Sequence, residues 1–200
     1  VAVSGGSDSL CLTFLAKIYS IKKSLNVYYL LVDHRLRKNS TFEAQTVKNI
    51  LKKHNINLNI LKWDGKKPNS NIQSLARNKR YSLLINKAKK LKIKNILVGH
   101  HIDDLYENFF IRISRGSGLN GLVSFNKKTQ NQNINILRPL IDFEKKHLNY
   151  VTEKVFNSHI EDPSNEDEKF KRARIRKLIK NLKNEGLDKN KFLLTIKNLT

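Results

Sequence analysis

Val1-Ala2-Val3-Ser4-Gly5-Gly6-Ser7-Asp8-Ser9 opens the chain, and its reading decides the fold. A short β-branched run enters a turn that holds two glycines and several hydroxyl or carboxylate side chains. The turn leads straight into an apolar-periodic segment, Leu10, Leu12, Phe14, Leu15 and Ile18. That pattern predicts a buried strand, a tight loop and the first turn of a helix. Glycines let main-chain N–H groups approach a ligand, and a helix start adds unpaired donors and positive dipole, so an oxyanion or phosphate fits there. The loop has neither the lysine of G-x-x-x-x-G-K-[ST] nor the spacing of G-x-G-x-x-G. A plain strand–helix turn with a Ser/Asp cap and no ligand is the alternative.

Around this loop the bulk composition sets limits. The 200 residues suffice for one well-buried domain with a small appendage. With 39 Lys+Arg against 17 Asp+Glu the formal charge is +22, far beyond what solubility needs. A polyanionic partner, nucleic acid first, is expected; a lysine-rich coding bias spread over solvated faces is the bland alternative. Cys11 is the only cysteine, which excludes an internal disulfide and a cysteine metal cluster. No apolar run is long enough to span a bilayer and no leader pattern opens the chain, so a soluble, cytoplasmic protein with no membrane partner is expected. The lack of methionine and the start inside a strand suggest that residues precede Val1.

Further along, Val27–Val32 is a continuous apolar run typical of a strand covered on both faces, ending in Asp33-His34-Arg35-Leu36-Arg37. Ser40 and Glu43 have capping-box spacing ahead of a helix to about His54, and Leu58–Leu61 reads as a short strand. A longer helix opens near Asn71, with Arg77 and Arg80 on its basic face. Asn95–Gly99 is another buried strand, followed by His100-His101-Ile102-Asp103-Asp104 and a helix. Residues 126–133 read as an exposed loop, Ile134–Leu140 as a strand, and Asp142 as the cap of a further helix. This alternation predicts an α/β fold, a doubly wound, mostly parallel sheet with helices on both faces. The polar clusters 4–9, 33–37 and 100–104 all follow strands, so they converge on one edge, where such folds bind ligands.

Asp104 and Glu107 stand three apart and share a helix face, with Asp103 at the helix start. Such carboxylates hold Mg²⁺, orient an ammonium or accept a proton; a cap on a solvated helix face is the plainer alternative. The spacing does not match H-E-x-x-H. Near the C-terminus, residues 169–180 hold seven basic residues in twelve positions, with Arg172, Arg174 and Arg176 alternating with small or apolar ones. Arginine suits bidentate phosphate contacts, so this segment is expected to reach RNA or nucleotide, or else to be a solvated helix face. Arg77, Arg80 and Arg115 are further candidates of the same kind, whereas Trp63 reads as packing.

The opening loop resembles S-G-G-x-D-S, the pyrophosphate-binding loop of the N-type ATP pyrophosphatases (the PP-loop superfamily). Beyond it, Gly99-His100-His101-Ile102-Asp103-Asp104-Leu105-Tyr106-Glu107-Asn108, Arg115-Gly116-Ser117-Gly118, Arg138-Pro139-Leu140, Glu161-Asp162-Pro163-Ser164-Asn165 and Arg172-Ala173-Arg174-Ile175-Arg176 appear in the order seen in tRNA(Ile)-lysidine synthetases. Asn108 and Ala173 depart from that family's usual Thr and Asn. The resemblance implies an adenine nucleotide alpha hydrolase-like fold and a ligase using ATP and Mg²⁺. Its substrates would be free L-lysine and tRNA(Ile) with a CAU anticodon, whose wobble cytidine is adenylated at C2 and then converted to lysidine. Main-chain donors around Ser4, Gly5, Gly6 and Ser7 would hold phosphates, with Ser9 on the helix start and Asp8 on Mg²⁺ or the α-phosphate. Asp104 and Glu107 would bind lysine and accept its proton. Residues 1–160 are expected to form the catalytic domain and 161–200 a basic helical, tRNA-contacting linker; a homodimer is one oligomeric option. A tRNA thiolase of the same superfamily, or a basic RNA-binding module with a relic nucleotide site, are the rival readings.

Overall fold

A computed structural model of the protein describes residues 1–65, 72–160, 169 and 171–199. β1 (Ala2–Val3) passes through the glycine turn into α1 (Ser7–Lys23). β2 (Tyr29–Asp33) lies parallel to β1 with Leu30 opposite Ala2. It continues through α2 (Ser40–Lys53) to β3 (Leu58–Lys62), which is parallel again with Leu58 opposite Tyr29. α3 (Ile72–Lys90) crosses to a second half made of β4 (Asn95–Leu97), α4 (Ile102–Ile113), the one-turn α5 (Leu119–Leu122), β5 (Lys128–Asn131) and β6 (Ile134–Leu137). Three helices follow: α6 (Lys145–Phe156), α7 (Lys171–Asn184) and α8 (Lys189–Asn198).

The strands form two three-stranded sheets, ordered β1-β2-β3 and β4-β6-β5, and only the β5–β6 pair is antiparallel. All five residues of β2 are buried, because helices cover both of its faces. Tyr29 and Leu31 pack with Leu10 of α1 and Val47 and Leu51 of α2, while Leu30 and Val32 pack with Leu84, Ile85 and Ala88 of α3. The same α3 residues also cover Ile96 of β4 and Ile134 and Ile136 of β6, so one helix spans both sheets. The doubly wound α/β expectation therefore holds.

Where the sheets meet, Val1 and Leu97 pack around Cys11 and Leu12. A Cβ on Gly99 would stand 2.9 Å from the Asp8 carbonyl oxygen, so β4 ends hard against the start of α1. From these two strands the chain departs to opposite sides, β1 towards β2 and β3, β4 towards β6 and β5. That is a topological switch point, and the loops leaving β1 and β4 both open there.

The structure departs from the local sequence pattern in three places. The Ser40 hydroxyl does not cap α2; it donates to Asp33 Oδ1 at 2.8 Å, Asn39 is the N-cap residue, and Glu43 pairs with Arg37 at 2.9 Å. Asp142 does not cap α6, whose N-cap is Glu144; the Asp142 carboxylate meets Lys127 Nζ at 2.5 Å. The segment read as a loop over 126–133 is half strand, β5 pairing with β6 in a hairpin. α7 and α8 share buried clusters with α4, Ile175 and Ile179 packing on Ile102 and Tyr106, and Ile196 on Leu105 and Phe109. Among the described residues, no helix is long and apolar enough to cross a membrane.

Candidate active site

The glycine loop is held by one hydroxyl. Ser9 Oγ accepts the amide protons of Ser4 and Gly5, each at 3.1 Å, and donates to the Gly6 carbonyl at 2.9 Å. The Ser4 hydroxyl joins the same oxygen at 3.1 Å. The Ser4 and Gly5 amides, expected to face phosphate, are thus spent inside the loop. Gly6 is the N-cap of α1 and makes no side-chain cap bond, so the amides of Ser7, Asp8 and Ser9 are the donors a helix start offers an anion. Two more bonds fix the loop from outside: Thr152 donates to the Ser7 carbonyl at 2.8 Å, and the Ile160 amide to the Gly5 carbonyl at 2.9 Å.

Gly5 sits at φ +91, and a Cβ there would stand 2.5 Å from Val47 Cγ2. Gly5→Ala is expected to cost about 3 kcal/mol from backbone strain and overpacking together, lowering the melting temperature by roughly 8 °C. Calorimetry of the variant checks this.

The loop borders a cleft of about 700 Å³ at the switch point. Of the expected residues, Ser4, Gly6, Ser7, Asp8 and Ser9 line it, as do Arg77, Arg80, Asp104, Arg172 and Arg176. The other expected residues do not. Gly5 is turned inward under Val47 and Ile160. Arg115 is exposed beyond the far end of α4, about 18 Å of helix from its start. Arg174 is exposed and donates to the Lys169 carbonyl at 2.9 Å. Glu107, expected beside Asp104 as a partner for an amine, is 3% exposed and is ion-paired with Arg176 at 2.5 Å. Burial pushes its carboxyl above the ordinary value, and the Arg176 guanidinium holds back part of that rise. The Glu161–Asn165 motif lies outside the described residues.

His101 ties the carboxylates together. It is the N-cap of α4, its Nδ1 accepting the Asp103 amide at 3.3 Å, while Asp104 Oδ2 accepts the His101 amide at 3.0 Å in a reciprocal box. Its Nε2 lies 3.5 Å from Asp8 Oδ2 and 3.6 Å from Asp104 Oδ2. Burial alone would lower the imidazole, but the hydrogen bond to Asp8 and the charges of Asp104, Asp8 and Asp103 raise it above 6.5. Reciprocally, burial raises Asp8, but His101, Lys145 and the Ser7 hydroxyl together more than offset it, leaving that carboxyl below its ordinary value. The stability His101 contributes is therefore complete below pH 6.5 and is lost as pH rises through its higher folded-state value. NMR titration is expected to give His101 a midpoint above 6.5, and Asp8→Asn to lower it.

The same cleft also gathers cations. Among the described residues Arg80 and Arg172 have no carboxylate partner, and Arg77 lies 5.1 Å over the Tyr81 ring. Burial lowers Arg80, with the charges of Arg77 and Arg172 adding to the effect. The same burial and arginine charges hold His100 well below its ordinary value, so it stays neutral and accepts from Arg138 Nε at 3.2 Å. Such a cluster favours a polyanion. Lys145, Asn149 and His159 also line the cleft and went unnoticed in the sequence. Lys145, on α6, is one lysine in a lysine-rich chain; only its place beside Asp8 distinguishes it.

A family model described as a PP-loop domain matches residues 1–182. The chain belongs to the PP-loop domain family. Its relatives include the tRNA(Ile)-lysidine synthase of Orientia tsutsugamushi (strain Boryong), 41% identical over 182 residues, or 91% of this chain and 41% of that protein. The Rhodopseudomonas palustris tRNA(Ile)-lysidine synthase is 37% identical over 190 residues, 94% of this chain and 55% of that one. The chain thus spans 41% and 55% of the length of these two relatives. Among solved structures, the U34-tRNA thiolase NcsA of Methanococcus maripaludis, described with its [4Fe-4S] cluster, has a TM-score of 0.81 at 18% identity. The match covers 99% of this chain and 70% of that one, and it supports the PP-loop fold. Cys11, the lone thiol of this PP-loop chain, is fully buried on α1, and burial followed by the Asp8 charge pushes it up to about 11. That argues against a thiolate role in this cleft.

Proposed function

We propose that the protein ligates free L-lysine to C2 of the wobble cytidine of the CAU-anticodon isoleucine tRNA, using ATP, beside its tRNA in the cytoplasm. ATP adenylates the C2 carbonyl oxygen and pyrophosphate leaves. The lysine ε-amine then attacks C2, the C2–O bond breaks and AMP departs. The observation that carries this reading is the meeting of Asp8 and Asp104 at His101 Nε2, at 3.5 and 3.6 Å. It puts an acid beside the phosphate loop, where an amine must approach an adenylate. Sequence similarity to tRNA(Ile)-lysidine synthases supports the same choice of substrate.

In this reading the first-turn amides of α1 and the Lys145 ammonium receive the phosphates. Asp104 binds the lysine ammonium and takes the proton that must leave before the nitrogen can attack. Glu107 is a positioning residue that holds Arg176 at the cleft. Arg77, Arg80 and Arg172 bind the RNA backbone, and Arg115 and Arg174 meet it outside the cleft. Asp8 suits Mg²⁺: its carboxylate lines the cleft in the first turn of α1, beside the amides that would receive phosphate, and Mg²⁺ is commonly held by one or two carboxylates with phosphates and water. When bound, it would neutralise phosphate charge.

Incubating the protein with ATP, labelled lysine and tRNA transcripts tests the proposal. Label is expected in the isoleucine transcript with one AMP per lysine, and none when the wobble cytidine is replaced. ATP binding without label in RNA would favour the relic RNA-binding module.

A further inference from the structure

The main cleft does not end at Arg77 and Tyr81. Both side chains also border a second, side cleft of about 450 Å³ between α3 and the β5–β6 hairpin. Its chemistry differs from that of the catalytic cleft. Its lining contains no acid and is rich in amides: Asn78 comes from α3, Asn131 lies on the hairpin face that carries Ile134 and Ile136 against α3, and Gln132, at the hairpin turn, accepts from Lys89 Nζ at 3.0 Å. Arg138 forms the inner wall and is 6% exposed. Its Nε and Nη1 are fixed by His100 at 3.2 Å, the Asn126 carbonyl at 2.8 Å and Thr129 Oγ1 at 3.1 Å, and its guanidinium lies 4.4 Å from the Phe125 ring centroid. Among the described residues, nothing accepts from its Nη2.

Amides present a donor and an acceptor together, the pattern that pairs with a base edge, and buried arginines hold phosphate. A single-stranded nucleotide combines both needs, and RNA loops are read through splayed bases of this kind. From this we infer that the side cleft is a nucleotide subsite, which takes the loop nucleotide next to the target cytidine. Arg77 and Arg138 engage its phosphate, and Asn78 and Asn131 its base. The inference rests on the proposed reading that a single-stranded RNA loop enters the main cleft; it adds that the β5–β6 hairpin, whose composition alone reads as an exposed loop, recognises the neighbour.

A binding cycle tests it without turnover. A seven-nucleotide single-stranded RNA centred on the target cytidine is compared with two versions in which one flanking nucleotide is abasic, each against wild type and Asn78→Ala/Asn131→Ala. The expected result is a roughly tenfold affinity loss for one abasic RNA on wild type and no further loss on the variant. ATP binding and the melting temperature of the variant are expected to match wild type, since both residues are exposed. Equal losses on both proteins, or none on either, would overturn the subsite. If lysine transfer fails while the cycle shows coupling, the proposed reaction falls and the RNA subsite stands. If transfer succeeds without coupling, the subsite alone falls.

Discussion

An Asp104→Asn protein is expected to release pyrophosphate in the presence of tRNA and ATP at close to the wild-type rate while transferring lysine about a thousandfold more slowly. The substitution is chosen because Asp104 has two duties. One oxygen accepts the His101 amide at 3.0 Å and closes the capping box of α4. An asparagine oxygen can accept the same proton, so the helix start and the neighbouring imidazole keep their places. What disappears is the negative charge facing the cleft, which an incoming ammonium needs for binding and its nitrogen needs as a proton acceptor. Quench-flow measurement of pyrophosphate and of lysine in RNA separates the steps. Wild-type lysine transfer would refute the assignment, and an equal fall in both steps would move Asp104 to the adenylation step.

Arg176→Met is the second large effect, and it acts on stability. Glu107 is 3% exposed on α4, and its carboxylate is matched across the helix interface by Arg176 of α7. Removing the guanidinium strands a buried charge, at about 3 kcal/mol, the lower end for such losses because Arg176 is itself partly exposed. The sign of the pH dependence follows. Burial already raises the Glu107 carboxyl above 4.5, and losing its cation raises it further. A group raised in the folded state stabilises below its unfolded value and loses that contribution as pH rises through the folded one. The variant is therefore expected to be less destabilised at pH 5 than at pH 8, by thermal unfolding. Glu107→Gln/Arg176→Met should recover most of the loss and show little of this dependence. A double variant as unstable as Arg176→Met would show that the guanidinium's packing, and not its charge, holds α7 on α4.

Both variants depend on a feature of the cleft as a whole. With +22 formal charge the chain attracts polyanions everywhere, but the arginine cluster is focused by burial and by neutral His100 beside it. Asp8 and Asp104 line the same cleft, grouped by His101, so it offers arginines to nucleic acid and an acidic corner to a cation.

The amino-acid sequence determined most of the order of strands and helices, the core of the covered strand β2, read over Val27–Val32 and found at Tyr29–Asp33, and the convergence of the loops after β1 and β4, because apolar periodicity and β-branched runs are local signals. It also marked Asp8, Asp104 and most of the arginines that line the cleft. It misjudged groups whose partners lie far along the chain. Ser40 looked like a cap until Asp33 took its hydroxyl, seven residues back. Glu107 looked like Asp104's equal because helical spacing gives a shared face, yet only the docking of α7, 69 residues on, decides which carboxylate is buried under a guanidinium and which faces the cleft. The Ser4 and Gly5 amides looked available until Ser9 Oγ claimed them, and Lys145 was one lysine among many until α6 carried it beside Asp8. Which polar groups are free to act is set by pairing across the fold, and the tertiary structure alone makes those pairs.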